Sequence, residues 1–289
     1  MLRVVRVLAP NADVYTLDGT NTWVVGASPS IVIDPGPEIP SHLDEVAAAA
    51  GAVAAVLVTH DHPDHAPAAP AFAERVGAPL LAFRLAGAEH LRDAQQVRAG
   101  SVALTTVHTP GHTSDHVVFF EPDSGSLFSG DAVVGRGTTF IDPPDGDLAQ
   151  YLRSLERMRQ LGARTIHPGH GPLVFDAAAK LDQYVTHRAE RERQVLAAMA
   201  EGPITIAEMV ERIYAGYPPD VRPLAARSVL AHLLKLEGEG RAARRGRGDD
   251  TPWLATEPRN CERCGRRPAI GREKLCGPCS LAVLQETAD

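Results

Sequence analysis

The chain of 289 residues lacks several features, and each absence narrows the class of protein. No apolar stretch is long enough to cross a bilayer, and the first ten residues lack the apolar centre of a secretory signal. No internal repeat is evident. With 44% hydrophobic residues the chain can still bury a substantial core. We therefore expect a soluble, cytoplasmic protein with no membrane partner, built as one large domain with appendages.

Cysteine is absent from the first 260 residues, so no thiol is available there as a nucleophile or a ligand. All four cysteines follow as Cys261-X2-Cys264-X11-Cys276-X2-Cys279. This paired spacing predicts one structural zinc ion held by four thiolates, in a tail of residues 258–289. The alternative is a redox-active or disulfide-bonded tail, which is less expected in a chain with no export signal.

Charge is divided unevenly along the chain. Residues 1–221 carry 16 Lys and Arg against 27 Asp and Glu, whereas residues 222–274 carry 13 against 7. A basic C-terminal third attached to an acidic body suggests an anionic partner at that end, such as nucleic acid; the alternative is a solvated, charged surface. The basic residues of the part before the tail are Arg222, Arg227, Lys235, Arg241, Arg244, Arg245 and Arg247.

The segment Thr59 to His65 is the richest in metal-ligating side chains, and it follows an apolar run fit for a buried strand. His60, His62, Asp64 and His65 lie within six residues. Imidazole and carboxylate groups suit zinc and its first-row neighbours. Four ligands are enough for two ions but do not close a cage, so the pattern predicts further ligands from elsewhere in the chain.

Three more candidate ligands each follow a residue that breaks regular structure at the end of a predicted strand. They are His112 after Pro110-Gly111, Asp131 after Gly130, and His170 after Pro168-Gly169. Strands and helices alternate along this part of the chain, so the strand ends are expected to meet at one edge of a mixed α and β domain.

In their order and spacing, these motifs resemble the metallo-β-lactamase superfamily, with its His-X-His-X-Asp-His motif and later single His, Asp and His. The resemblance implies an α/β fold, an αββα sandwich of two sheets covered by helices. It also implies two zinc ions, with manganese or iron as alternatives, that present hydroxide to a carbonyl or a phosphorus atom. The implied ligands are His60, His62 and His112 at one ion, Asp64, His65 and His170 at the other, and Asp131 between them, with Asp64 and Asp131 as the catalytic carboxylates.

The chain after residue 201 has a different character. A helix over 205–214, a Pro-rich turn, a second helix over 224–237 and a glycine-bounded basic hairpin predict a winged helix. The predicted domains are thus a hydrolase over 1–201, a winged helix over 202–257 and the cysteine tail over 258–289. This order resembles the branch of the superfamily typified by beta-lactamase-like protein 2.

Several polar residues near the motifs have two interpretations. Asp34 is either an acceptor that fixes the tautomer of a ligating imidazole or a turn former at a strand end. His116 either lines the pocket or is buried and hydrogen-bonded. We interpret His108 and His167 as structural, and we expect Asp61 to face away from the ligands or to support the loop.

The leading hypothesis is a metal-dependent hydrolase that cleaves phosphodiesters, as an endoribonuclease on single-stranded RNA or another anionic substrate. The first alternative is a thioester hydrolase of the hydroxyacylglutathione or acyl-carrier type. The glycine pair common in thioester-cleaving relatives is replaced here by Ala66-Pro67-Ala68, which counts slightly against that alternative. The third hypothesis is a nucleic-acid-binding regulator whose hydrolase domain acts as a sensor.

Overall fold

Short apolar segments separated by glycine and proline form two β-sheets in the first part of the chain. A computed structural model describes residues 2–246, 248 and 250–257. The first sheet has six strands that neighbour one another in chain order, parallel from β3 onward. They are β1 (Val4–Leu8), β2 (Asn21–Val25), β3 (Ser30–Ile33), β4 (Val53–Leu57), β5 (Leu80–Ala82) and β6 (Glu89–His90).

The second sheet has five strands, antiparallel except for the pair that includes the last strand. Its strands also neighbour one another in chain order. The strands are β7 (Gln96–Ala99), β8 (Val102–His108), β9 (Val117–Glu121), β10 (Ser126–Gly130) and β11 (Thr165–Pro168). Trp23, Ile33 and Leu57 of the first sheet pack with Leu104 and Phe119 of the second in one buried cluster, so the two sheets form a sandwich.

Helices cover the outer faces. Helix α1 (Pro40–Ala50) and helix α2 (Ala69–Val76) pack on the first sheet through a second apolar cluster. Helix α3 (Leu148–Gln160) lies beside the second sheet, where the Tyr151 hydroxyl donates to the carbonyl of Ala132. The expected α/β class, with helices outside two packed sheets, is confirmed.

Four strands end at the same edge of the sandwich, and we call this edge the rim. Strand β4 leads directly into the motif that begins at Thr59, and β10 leads into Asp131. Strands β8 and β11 precede His112 and His170 in the same way. Because each ligand follows a strand end, the backbone of the sandwich fixes where each side chain starts.

The chain forms two compact units. The first contains the residues up to Thr139 together with Asp145–Val185, and the second contains Phe140–Pro144 and the chain from Thr186 onward. The boundary between the two units falls inside one continuous helix, α4 (Ala177–Ala198). The sequence places its domain boundary at residue 201, because a helix shared by two cores has no break in its pattern.

The second unit is built from two further helices and a hairpin. Helix α5 (Ile206–Ile213) begins with a capping box between Thr205 and Glu208. Helix α6 (Arg222–Gly238) follows a 3-10 turn, and strands β12 (Ala242–Arg244) and β13 (Trp253–Ala255) pair antiparallel. Apolar residues of both helices and both strands share one core, which matches the predicted helix, turn, helix and wing.

The structure differs from the sequence expectation in a few local features. The sequence analysis predicts neither β6 nor β7, because a strand of two exposed residues and a strand with polar side chains at alternate positions carry little apolar signal. The cysteines Cys261, Cys264, Cys276 and Cys279 lie outside the described residues. In the described part of the chain, no helix combines the length and apolar character needed to cross a membrane.

Candidate metal centre

The first ligand group contains His60, His62 and His112. The Nε2 atom of His60 lies 2.9 Å from Nδ1 of His62, and Nε2 of His112 lies 3.1 Å from the same atom. Together with one oxygen of Asp131, these ligand atoms lie within 4.8 Å of one another. Three imidazole nitrogens therefore point at one position, His62 through Nδ1 and the other two through Nε2.

The second ligand group contains Asp64, His65 and His170. The Oδ2 atom of Asp64 lies 3.2 Å from Nε2 of His65 and 3.1 Å from Nε2 of His170. The two imidazole nitrogens are 3.3 Å apart. One carboxylate and two imidazoles thus converge on a second position.

Asp131 is shared between the two groups. Its Oδ1 atom lies 3.5 Å from Nε2 of His65 and 3.3 Å from Nε2 of His170, whereas its Oδ2 atom lies 3.8 Å from Nε2 of His112. Each oxygen therefore faces a different group. The structure brings together all seven residues that the sequence singles out.

Hydrogen bonds on the far side of the imidazole rings fix their tautomers. Nδ1 of His65 donates to Oδ2 of Asp34 over 2.9 Å, and Nδ1 of His170 donates to the carbonyl of Gly19 over 3.2 Å. The Thr59 hydroxyl donates to Asp34, so its oxygen is left to accept from Nδ1 of His60. In all three rings Nδ1 is thus the nitrogen held by the hydrogen bond, and Nε2 is the nitrogen that faces the ligand groups.

The sequence allowed two roles for Asp34, and the structure shows that it accepts a hydrogen bond from the imidazole of His65. Its side chain is buried and also accepts from the backbone N–H of Thr59 over 2.7 Å. Its φ of 50° lies in the left-handed region, which costs free energy in a residue other than glycine. The three hydrogen bonds to its carboxylate hold it in that conformation, at the end of β3.

The sequence interpretation missed Thr20 and Asn11. The Thr20 hydroxyl donates to Oδ2 of Asp64 over 2.8 Å, and the Asn11 amide donates to the Thr20 oxygen over 3.0 Å. Thr20 is fully buried. The available signal was a polar run, Gly19 to Thr22, at the start of an otherwise apolar strand.

His116 is buried and hydrogen-bonded rather than a pocket-lining residue. Its Nε2 atom accepts from the backbone N–H of Asp131, which requires that Nδ1 donate to the Thr109 hydroxyl. This chain of bonds positions the backbone of Asp131. His108 stacks on Phe83, which matches the structural role expected for it.

The structure also agrees with what we expected for His167 and Asp61. His167 packs against Trp23 and Phe128 in the core. Asp61 is exposed between two ligands, and its backbone N–H donates to Asp115.

Glycine at two positions lets the ligand groups approach each other. A Cβ atom at Gly169 would lie 2.5 Å from Oδ1 of Asp131 and 2.8 Å from Cε1 of His65. At Gly130, where φ is 46°, a Cβ atom would lie 2.6 Å from the Thr59 hydroxyl oxygen. A side chain at Gly169 would displace Asp131 and His65, whereas one at Gly130 would displace Thr59, which is bonded to Asp34 and His60.

The two groups differ in their electrostatics. Burial, reinforced by the neighbouring His112, lowers the pKa of His62 to about 4. Burial also opposes the charged form of His170, but the Asp131 and Asp64 carboxylates outweigh it and raise its pKa to about 9. Burial would likewise raise the pKa of both aspartates, yet His65 and His170 bring it below the usual range. Both carboxylates are thus ionised, and their negative charge attracts cations.

These residues fit a divalent metal site. Neutral imidazoles and ionised carboxylates are the forms that bind cations, and their mixture suits zinc and its first-row neighbours. The Oδ1 atom of Asp131 is buried and receives no hydrogen bond, which is costly unless a positive charge lies against it.

Most of the seven basic residues that suggested an anionic partner are paired with carboxylates of the second unit. Five of the seven that suggested an anionic partner have such a contact, whereas Arg245 has an exposed side chain and Arg247 is outside the described residues. The pairs are Arg222–Glu211 at 2.6 Å, Arg227–Asp142, Lys235–Glu192 at 2.6 Å, Arg241–Glu192 at 2.7 Å and Arg244–Glu237 at 3.5 Å. A continuous phosphate-binding face is therefore not preformed by these five residues.

The two-sheet sandwich with converging histidines and aspartates at its rim defines a metal-dependent hydrolase. The chain belongs to the metallo-beta-lactamase superfamily, which it matches over residues 15–102 and 91–170. Residues 205–253 match the beta-lactamase associated winged helix domain. The expected superfamily, enzyme class and appended winged helix are confirmed.

Relatives of similar length support this assignment. The chain is 33% identical to the atrochrysone carboxyl ACP thioesterase of Aspergillus chevalieri, over 87% of this chain and 86% of that protein. It is 33% identical to the beta-lactamase-like protein 2 homolog of Drosophila melanogaster, over 82% and 89%. A beta-lactamase domain protein from Burkholderia ambifaria shares the fold, with a TM-score of 0.77 at 23% identity over 88% and 91% of the two chains.

Proposed function

We propose that this chain hydrolyses a thioester, with water as the nucleophile and two divalent cations as its cofactors. Zinc is the first candidate for both cations. The observation that carries the hydrolysis is the convergence of seven ligands on two positions that share Asp131. Divalent cations held there would lower the pKa of water and polarise a carbonyl group. Residues 1–260 contain no cysteine that could attack instead.

The residues around the ligand groups hold this arrangement in place. Asp34 takes the Nδ1 proton of His65, and Thr20 fixes the orientation of the Asp64 carboxylate. The two oxygens of Asp131 hold the ligand groups at a fixed separation. Preorganised ligands of this kind add no reorganisation cost when the reaction occurs.

The leaving group favours a thioester over a phosphodiester. Asp64 and Asp131 both have a pKa below the usual range, so neither is protonated and able to donate a proton to a leaving group. A thiol has a pKa of about 8.5, and it therefore leaves as a thiolate with little help near neutral pH. A ribose oxygen is far more basic, so it leaves only with more help, either protonation by an acid or a cation bound against it.

The distribution of charge along the chain also favours a thioester over RNA as the substrate. Residues 1–221 carry an excess of acidic groups, and five basic residues of the second unit are occupied by carboxylates. A polyanionic RNA strand needs free cations along its backbone, whereas an acyl carbonyl does not. The similarity to an acyl-carrier thioesterase supports an acyl group carried on a pantetheine-type thiol.

The test is a comparison of substrates on zinc-loaded protein. The panel contains N-acetylcysteamine thioesters of several acyl groups and single-stranded RNA oligomers, each measured with and without a chelator. We expect chelator-sensitive turnover of the thioesters, with a higher kcat/KM than for any RNA. RNA cleavage that falls steeply with salt, together with inert thioesters, would overturn the proposal.

A charge variant sharpens this test. Arg245 is exposed and lies in the second unit, so the Arg245→Gln variant should leave thioester turnover unchanged. A large loss of RNA affinity in the same variant would support the nuclease hypothesis instead.

A further inference from the structure

One buried side chain of the first sheet, Asn21, is bonded to the turn that carries His170. Asn21 is the first residue of β2 and is fully buried. Its Nδ2 atom donates to the carbonyl of Pro168 over 2.9 Å and to the carbonyl of Gly171 over 2.9 Å. Its backbone N–H donates to the carbonyl of Gly169 over 2.7 Å. Asn21 therefore holds the turn by three of its four carbonyl groups, on both sides of the ligating histidine.

Strand pairing within the second sheet leaves part of this turn without donors. Strand β11 is the last strand of that sheet, and Ile166 bonds to Val174 on the edge away from β10. The carbonyl of Pro168, two residues further along, faces the same edge because backbone groups alternate along a strand. A buried carbonyl needs a donor, and here the donors come from the first sheet. They are the amide of Asn21 and the indole N–H of Trp23, which lies 3.0 Å from the Pro168 oxygen.

The orientation of the Asn21 amide follows from its surroundings. Turning the amide over would place Oδ1 against two carbonyl oxygens, whereas Nδ2 offers one hydrogen to each of them. Oδ1 is buried and accepts no hydrogen bond from the described residues. The position thus uses both donor hydrogens of one short side chain, although the oxygen remains unsatisfied. Serine could supply one such hydrogen, and an ionised aspartate could supply none.

The position of the turn decides where the imidazole of His170 lies. Its Nδ1 atom donates to the carbonyl of Gly19, and its Nε2 atom lies 3.1 Å from Oδ2 of Asp64. Thr20, between Gly19 and Asn21 in the chain, donates to the same Asp64 oxygen. Three consecutive residues at the start of β2 thus contact two members of the second ligand group or the turn that carries one of them.

We propose that Asn21 is a positioning residue that fixes His170 and thereby sets the affinity of the second ligand group for its cation. The inference rests on the two-cation site of the proposed function and not on the identity of the substrate. Loss of a partner outside the ligand shell typically costs 10–100-fold in metal affinity. Because Asn21 acts on His170 through the backbone of the turn, its effect is confined to the second cation.

The experiment measures zinc binding to the chelator-treated full-length chain, by competition with a coloured chelator, in wild type, Asn21→Asp and Asn21→Ala. The aspartate keeps the shape of the side chain but loses both donor hydrogens when ionised, and the alanine removes them without adding a charge. We expect each variant to bind one zinc ion at least about tenfold more weakly than wild type, with its other zinc affinities unchanged. Wild-type affinity for every zinc ion in either folded variant would overturn the inference.

Ser30 provides a matched control at the end of β3 that is farther from the rim. It is fully buried, its backbone N–H donates to the carbonyl of Ala52, and its hydroxyl donates to the carbonyl of Ala50 over 3.0 Å. Ser30→Ala should lower the melting temperature, as Asn21→Ala does, but should keep every zinc affinity at its wild-type value. Equal weakening of zinc binding in both variants would mean that general destabilisation is the cause, and would overturn the inference.

A double-mutant cycle with His170→Ala tests the route of the effect. If Asn21 acts through His170, Asn21→Ala should weaken zinc binding no further in a chain that already lacks this imidazole. Additive losses in the double variant would overturn the inference.

The same titrations distinguish this inference from the proposed function. A wild-type chain that binds zinc at both ligand groups but leaves thioesters intact would overturn the thioester proposal alone, and the zinc affinities of the Asn21 variants would still decide the role of Asn21. Absence of zinc from both ligand groups in wild type would overturn both.

Discussion

Histidine is buried in both units of the chain, but the two settings differ. His65 in the first unit donates from Nδ1 to Asp34, and its Nε2 atom faces the Asp64 and Asp131 carboxylates. His232 in the second unit is 1% exposed, and neither of its ring nitrogens has a hydrogen-bond partner. Burial alone therefore does not identify a functional histidine; an oriented ring facing converging carboxylates does.

Charged groups show the same contrast. In the first unit, ionised carboxylates at the rim face imidazole nitrogens and leave Oδ1 of Asp131 without a hydrogen bond. In the second unit, Glu192 accepts from both Lys235 and Arg241, so the charges offset one another locally. The rim keeps the capacity to bind cations, and the pairs of the second unit contribute to its own packing.

The largest effect is expected from Asp131, the residue shared by both ligand groups. Asp131→Ala should reduce kcat/KM by more than about 100-fold, because partners outside the ligand shell alone cost 10–100-fold. Metal content and turnover are measured on the same sample. The exposed Asp61→Ala variant is the control and should keep both. Full activity of Asp131→Ala with two metal equivalents would contradict the assignment.

A smaller but still large effect is expected from filling the space at Gly169. The Cβ of Gly169→Ala would press on Oδ1 of Asp131 and on His65, and displacement of reacting groups by about 1 Å can cost 10²-fold in rate. In the second unit, Gly216→Ala meets no atom within 4 Å and should be silent. If both variants have wild-type turnover, close approach at the rim is not required.

The Asp34→Asn variant tests whether orientation separates His65 from His232. The asparagine oxygen can still accept from Thr59, but its amide group cannot accept the Nδ1 proton of His65. We expect about 10–100-fold weaker metal binding, measured by competition with a coloured chelator. Unchanged metal affinity with a folded protein would mean that the tautomer of His65 is set by another contact.

The smallest effect concerns stability and belongs to the second unit. Burial, with the charges of Arg188 and Lys235, lowers the pKa of His232 below its ordinary value of 6.5. The unfolded chain then takes up the proton more readily, so stability is complete above about pH 6.5 and is lost as the pH falls below it. The loss is at most about 1.4 kcal/mol per pH unit for one such group.

His232→Leu should therefore show a smaller drop in melting temperature between pH 7.5 and pH 5.5 than wild type. Comparing the two proteins in identical buffers cancels the contribution of the rim histidines. An equal drop in both would show that His232 is not protonated more readily on unfolding.

The sequence was most informative about elements in which apolar residues recur at a regular spacing. The pattern predicted helices over 205–214 and 224–237, and the structure has α5 at Ile206–Ile213 and α6 at Arg222–Gly238. Helix α4 shows the other limit, since its unbroken pattern concealed the change from one core to the next.

The sequence by itself determined the identity and order of the seven candidate ligands and the strand ends that carry them, because both follow from short motifs and local periodicity. Only the tertiary structure decided that Asp131 divides its oxygens between two groups, that Thr20 supports Asp64, and that five of the seven basic residues suggested for an anionic partner are paired. These contacts join residues that are distant in the chain. Their distances depend on how sheets and helices pack, which no local pattern encodes.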